Sequence, residues 1–219
     1  MIKHIFSRQP QYLLAALFLL IFLLQTATAA DFPAFKQKAA TVEMIKQLQK
    51  GGFVLYMRHG ATDTSRPDRV PRVDLNDCAT QRPLSEKGLK VSAQVGEAIR
   101  HAAISVGEIQ SSPMCRTKKT AVAAFGAEFI TNEYLMSTSN LTSKEKVPRI
   151  ANMKRLLSTP VPDGENLILV AHAPNLMDVM GYFPTPEGVV VLFRPLGEQG
   201  FEYVASIEPQ QWQELLKNL

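Results

Sequence analysis

Buried-strand and amphipathic-helix patterns alternate along this chain from residue 41 to its end. Val42, Ile45 and Leu48 recur at helical spacing, and Gly51-Gly52 stops them. The apolar run Phe53-Val54-Leu55, continued to Arg58, predicts the first strand. A helix is predicted from Ser85, whose hydroxyl can cap it, with Glu86 favourable in the first turn. Leu89, Ala93, Val95 and Ile99 form its apolar face, and Gly88 and Gly96 weaken it. Glu108 to Ser111 predicts a second strand. Ser112-Pro113 then reads as a cap followed by proline at the first helical position, with the helix stopping at Gly126. Phe129-Ile130 predicts a minor strand, 144–158 a helix, and Pro160 to Gly164 a turn. Asn166 to Ala171 is the cleanest buried strand, and Pro174 opens another helix through Met180. Val189 to Phe193 and Phe201 to Ala205 predict a closing hairpin around Gly197 and Gly200. Gln210 to Leu219 predicts a terminal helix.

Alternating strands and helices imply an α/β fold, a three-layer α/β/α sandwich with a mostly parallel central sheet. One stretch breaks the pattern. Residues 61–83 hold Pro67, Pro71, Pro83, four arginines and four aspartates with no periodicity. A connection that long inside a compact domain is more often functional than not; its plain alternative is a mobile surface loop.

The amino terminus is organised differently. Lys3 and Arg8 precede the apolar run Tyr12 to Leu24, and Ala27-Thr28-Ala29-Ala30 follows before the first acid, Asp31. A positive start, a short apolar middle and small residues at the end are the parts of a secretory signal. The expected organisation is a signal peptide over 1–30 and one domain over 31–219. The alternative is an uncleaved anchor, the one route by which a membrane is involved. The expected location is periplasmic or secreted. Of 24 Lys+Arg, Lys3 and Arg8 leave with the leader, so the balance against 20 Asp+Glu is close to neutral. No dense Lys/Arg stripe with interleaved aromatics is present, and nucleic acid is not an expected partner. Cys78 and Cys115 are the only cysteines. In an oxidising compartment they can form one bridge; two unrelated buried thiols are the alternative.

Polar groups sit where three strands end: Arg58-His59, then Ser111-Ser112 leading to Arg116, then His172. If those strands are neighbours, two histidines and two arginines meet in one crevice, at the strand edge where open α/β sheets bind ligands. A helix start after Pro113 adds backbone N–H groups and a positive dipole end. Guanidinium groups bind phosphate oxygens bidentately, and a histidine so placed can attack phosphorus.

Four stretches in order carry a resemblance. They are Met57-Arg58-His59-Gly60-Ala61-Thr62, Arg82-Pro83-Leu84-Ser85-Glu86-Lys87-Gly88, Ser111-Ser112-Pro113-Met114-Cys115-Arg116 with Thr120-Ala121, and Val170-Ala171-His172-Ala173. Together they resemble the histidine phosphatase superfamily, which includes phosphoglycerate mutases and many acid phosphatases, and the flavour is that of its small exported members. The resemblance implies a phosphoglycerate mutase-like fold and a phosphohistidine mechanism. His59 is the implied nucleophile, and Arg58, Arg116 and His172 hold the phosphoryl oxygens. Thr62 and Arg82 are further candidates for substrate binding; for Arg82, pairing with an aspartate of its own loop is the alternative. The implied partner is a small phosphorylated substrate. No cofactor is implied, and no metal-ligand spacing such as H-E-x-x-H is found.

The chain departs from that family at three positions. Ala61 stands where a glutamate is common, Ser65 where an asparagine touches phosphate, and Ser137 where a glutamate protonates the leaving group. Glu133, Asp63 and Glu165, in that order, are the candidate replacement donors. The expected activity is that of an exported, metal-independent phosphatase hydrolysing a phosphomonoester. Two alternatives stand beside it: a catalytically weak phosphate-ligand binding protein, and a phosphoglycerate-type mutase, which the export signal and the missing glutamate disfavour.

Overall fold

The computed structural model of the protein describes residues 35–70 and 73–219. The expected signal peptide therefore lies outside the described residues. Phe35–Leu219 form one compact unit. Among the described residues six α-helices and six strands follow one another: α1 (Val42–Leu48), β1 (Val54–Arg58), α2 (Glu86–His101), β2 (Val106–Ser111), α3 (Cys115–Phe125) and β3 (Ile130–Thr131), then α4 (Ser143–Ser158), β4 (Asn166–Ala171), α5 (Ala173–Met180), β5 (Val190–Pro195), β6 (Phe201–Ile207) and α6 (Gln211–Lys217). Among the described residues no helix is long and apolar enough to cross a membrane.

The strands form one sheet in the order β3-β2-β4-β1-β5-β6. The pairs β1–β4, β2–β4 and β2–β3 are parallel, whereas β1–β5 and β5–β6 are antiparallel. The sheet is therefore mostly parallel with an antiparallel margin, as the strand and helix order predicts. Period-two alternation splits each central strand between two cores. Leu55 and Met57, Ile168 and Val170, and Val190 and Leu192 face α1, α2, α3 and α6 through Ile45, Ile99, Ala121 and Trp212. Val54 and Tyr56, Leu169 and Ala171, and Val191 and Phe193 face α4 and α5 through Met153, Leu157 and Leu176. Helices thus cover both faces, and the domain has three layers.

Two expectations about helices need correction. Leu89 is 40% exposed and Ala93 is also exposed; the buried face of α2 is Gly88, Ser92, Val95, Gly96, Ala98 and Ile99. The glycines are there for space. A Cβ on Gly96 would lie 1.9 Å from the Ala124 carbonyl oxygen of α3, and one on Gly88 would lie 2.1 Å from the Ala61 oxygen. Two helices so close leave no room for a methyl group, a constraint that helix propensity does not register. Second, α3 begins at Cys115 with Met114 as its cap, so Pro113 precedes the helix and Ser112 does not cap it. The minor strand is Ile130–Thr131, one residue later than expected.

Capping is legible where its chemistry is local. Ser85 Oγ accepts from the Gly88 N–H at 3.0 Å. Thr142 and Glu145 form a full capping box on α4. The Asn166 side chain donates to the Leu48 and Ser105 carbonyls and accepts from the Phe53 N–H, tying three elements to the amino end of β4.

Candidate active site

Strand register builds the site. Arg58 pairs with Ala171 and Ser111 with Val170, so β1, β2 and β4 run out together at one edge. The next residues, His59, Ser112 and His172, stand on adjacent strands, whose spacing is about 4.8 Å. Backbone bonds hold them: the His59 N–H donates to the Ala171 carbonyl and the Ser112 N–H to the Val170 carbonyl, each at 3.0 Å. The Gly60 N–H donates to Thr120 Oγ1 on α3 at 3.0 Å. A Cβ on Gly60 would lie 2.6 Å from both the Gly88 oxygen and Ser92 Oγ, so the turn after His59 packs flat on α2.

His59 and His172 are both buried, and their rings meet edge to face with centroids 5.2 Å apart. His59 Nδ1 lies 2.9 Å from the Gly60 carbonyl oxygen. A carbonyl can only accept, so Nδ1 carries the hydrogen and Nε2 keeps its lone pair. Burial, and then the charges of Arg116, Arg58 and Arg82, bring the His59 pKa down to about 3. The imidazole is therefore neutral across ordinary pH. Burial, followed by the His59 ring and the same arginines, also pushes His172 well below its ordinary value. His172 Nε2 lies 2.9 Å from Ser112 Oγ. Ser112, read as a cap, orients the second histidine instead.

Arg58, Arg82 and Arg116 surround the histidines, and each acts electrostatically on both. Arg58 is held by three neighbours. Its Nη1 donates to the Pro184 carbonyl at 2.9 Å, Nη2 lies 3.4 Å from Glu187 Oε1, and the guanidinium stacks over the Phe183 ring. Arg116 is buried in the first turn of α3, and its Nη1 donates to both Asp68 oxygens at 3.0 and 3.3 Å. Burial lowers the pKa of both groups, and the paired carboxylates oppose that shift. Of the two readings of Arg82, the loop pairing is made by its backbone and not by its side chain. The Arg82 N–H donates to Asp68 at 2.7 Å. The Nε atoms of all three arginines and Nδ1 of His172 are buried without a hydrogen-bond partner among the described residues. Clustered buried donors of this kind suit an oxyanion, which brings only acceptors.

The expected free N–H groups at the start of α3 are partly used. The Cys115 N–H donates to Gln81 Oε1 at 2.7 Å. Cys78 and Cys115 form a disulfide. With Gln81, it fastens the loop 61–83 to α3 beside Arg116. Thr62 Oγ1 donates to Glu187 Oε1 at 3.4 Å, so it stands at the rim of the same cluster.

The candidate proton donors fall in three different places. Glu165 precedes β4, at the amino end of the strand whose carboxyl end carries His172. Six residues of β-strand separate the two, roughly 20 Å, so Glu165 is removed as a donor. Asp63 accepts from the Ser65 N–H and Oγ at 3.0 and 2.6 Å, which lowers its pKa and commits both residues to their own turn. Glu133 is on the site's edge of the sheet, since the Asn132 N–H before it donates to the Ser111 carbonyl. Its side chain is exposed, and Arg149 engages its backbone carbonyl.

A cavity of about 400 Å³ opens against Arg116, lined by Asp68, Arg69, Met136, Ser137 and Asn140 among others. A larger groove, about 550 Å³, lies between α2 and α6 and shares no residue with the site. Size does not decide between them; convergent polar groups do. Sequence reasoning missed Asp68 and Glu187, the carboxylates on the two cradle arginines. Four aspartates in an aperiodic loop, and a glutamate between a turn and a strand, give no local signal. Among the described residues no group of three or more His, Cys, Asp or Glu is placed to hold a metal ion.

Residues 54–139 match the family model of the histidine phosphatase superfamily, branch 1. Over these residues the chain is similar to that superfamily. The match spans β1 through the segment after β3 and includes Arg58, His59, Arg82 and Arg116; His172 lies beyond it and joins the site through the sheet. Solved structures share the fold. The protein histidine phosphatase SixA complexed with tungstate matches with a TM-score of 0.53 and 15% identity, over 73% of this chain and 98% of its own. A candidate α-ribazole-5'-P phosphatase from Escherichia coli str. K-12 matches with a TM-score of 0.55 and 12% identity, over the same shares. No curated protein matches the sequence.

Proposed function

We propose that this chain is an exported phosphatase that hydrolyses a small phosphomonoester, without a metal, through a phosphohistidine on His59. One observation carries the reading: a buried, neutral His59 whose Nδ1–H is fixed on the Gly60 carbonyl, leaving Nε2 free beside three arginines. The Nε2 lone pair attacks phosphorus, an N–P bond forms as the ester P–O bond breaks, and water then cleaves the N–P bond to release phosphate. Arg58, Arg82 and Arg116 spread positive charge over the equatorial oxygens, where negative charge resides in the transition state. Neutral His172 with Ser112 adds a hydrogen-bonding wall opposite them. Export is proposed from the leader-like sequence at 1–30.

The test is turnover of an aryl phosphate in chelator, with trapping of an acid-labile, base-stable phosphoenzyme. His59→Ala is expected to lose the phosphoenzyme and at least about 10³-fold in kcat, as removal of a covalent nucleophile does. Full turnover by that variant sinks the mechanism. Tight phosphate binding with no turnover across sugar, nucleoside and lipid phosphates identifies a binding protein instead.

A further inference from the structure

Departure of an alkoxide from phosphorus is slow unless the oxygen receives a proton as the P–O bond breaks. Ser137 lines the cavity beside Arg116, but a hydroxyl is too weak an acid for that task. Glu133, Asp63 and Glu165 are exposed, committed to a turn, or at the far edge of the sheet. Two other carboxyl residues line the cavity, Asp68 and Glu145, and the Glu145 carboxylate is engaged with Thr142 in the capping box of α4.

We propose that Asp68 is the residue that gives a proton to the leaving oxygen and takes one from the attacking water. The proposal rests on the phosphohistidine reading above. Asp68 Oδ1 and Oδ2 lie 3.0 and 3.3 Å from Arg116 Nη1, so the carboxylate is in contact with a guanidinium assigned to the phosphoryl group. The same side chain lines the 400 Å³ cavity, the room next to that guanidinium for whatever the phosphate is attached to. It is also fixed in place: Oδ1 accepts the Arg82 N–H at 2.7 Å, and the Cys78–Cys115 disulfide ties its loop to α3. The other carboxylate of the cradle, Glu187, touches Arg58 and Thr62 and does not line this cavity.

The proton enters on a monoanionic phosphomonoester. As the phosphoryl oxygens engage Arg116, the proton passes to Asp68, whose carboxylate otherwise faces another anion. In the first half-reaction the His59 Nε2–P bond forms and the P–O ester bond breaks. The Asp68 hydroxyl hydrogen moves to the ester oxygen, and a neutral alcohol leaves. In the second, the Asp68 carboxylate takes a proton from water as its oxygen bonds to phosphorus and the N–P bond breaks. The proton taken from water then passes from Asp68 to the phosphate, which departs as the monoanion, and Asp68 is ionised again.

The experiment compares Asp68→Asn with the unmodified protein on p-nitrophenyl phosphate, whose leaving group needs no proton, and on glycerol phosphate, whose leaving group does. The expected result is a fall in kcat of roughly 10²–10⁴-fold on the alkyl ester, against less than about tenfold on the aryl ester. Asp68→Glu, which keeps a proton donor, is expected to recover most of the alkyl activity. An equal loss on both esters means that Asp68 only positions Arg116 and overturns the proposal, as does no loss, or a selective loss in Glu187→Gln. Should Asp68→Asn fail to fold, Asp68→Ser takes its place: a steeper dependence of its rate on leaving-group pKa supports the proposal, and an unchanged dependence overturns it. Absence of a phosphoenzyme in the unmodified protein fails the phosphohistidine reading instead, whereas a phosphoenzyme that persists in Asp68→Asn leaves that reading standing whatever becomes of Asp68.

Discussion

The Tyr56 hydroxyl donates to the His172 carbonyl at 2.6 Å and accepts from the His172 N–H at 3.1 Å. A fully buried side chain in β1 therefore grips the backbone where β4 gives way to α5. Burial raises the pKa of this phenol far above its ordinary value, so it is a neutral donor and acceptor at any usable pH. The second histidine is held by the strand that carries the first.

Tyr56→Phe leaves the His172 N–H without a partner inside the protein. The expected cost is about 1–3 kcal/mol of stability, with a fall in turnover as His172 loosens from Ser112. Urea unfolding measures the first and aryl phosphate kcat the second. An unchanged midpoint and kcat would show that the bonds are incidental.

Gly96→Ala forces α2 away from α3, because its new methyl meets backbone rather than a flexible side chain. Overpacking of this kind costs about 1–3 kcal/mol, seen as a lowered melting temperature. Gly88→Ala presses on Ala61 in the turn that follows His59, so it is expected to lower kcat as well as stability. If Gly88→Ala instead melted like the parent and kept its kcat, the close approach would have no energetic weight.

Reduction of Cys78–Cys115 frees a loop closed over a sequence separation of 37. For such a loop the chain-entropy model gives about 3–4 kcal/mol. The loop carries Asp68 and Arg82, so activity is expected to decline together with stability. Mass spectrometry should show the native protein two hydrogens lighter than the reduced one; equal masses rule out the bridge in solution.

Acid sensitivity follows from His59. Its folded pKa, about 3, lies below the ordinary histidine value of 6.5. Above pH 6.5 neither the folded nor the unfolded form binds the proton, and stability is whole. As pH falls from about 6.5 towards 3 the unfolded chain takes up the proton and the folded one refuses it, so stability is lost across that window. His59→Gln is expected to make unfolding free energy less steep with pH there, by up to about 1.4 kcal/mol per unit. Equal slopes in the two proteins would contradict the depressed value.

Much of the layout was legible because it rests on short-range patterns. Asn166 to Ala171 is a continuous apolar run between turn residues, and its strand bounds match. Arg58-His59 and His172 were recognisable as strand-end residues because each follows such a run directly. The reading of Gly88 and Gly96 as weak points failed for a physical reason: propensity concerns one helix, and these glycines answer to a second backbone. Ser112-Pro113 failed likewise, since a serine before a proline looks the same whether its hydroxyl caps a helix or faces His172.

The sequence by itself determined the three-layer α/β architecture and the placing of a histidine and an arginine at the end of β1 and of Arg116 after β2. Each of these follows from periodicity or from adjacency along the chain. Only the tertiary structure decided which carboxylates face those arginines. Asp68 reaches Arg116 across 48 positions of sequence, and Glu187 reaches Thr62 across 125. No local pattern encodes such pairings. They arise from the sheet order that brings β1 beside β4 and β5, and from the disulfide and backbone bonds that fold the aperiodic loop back onto α3.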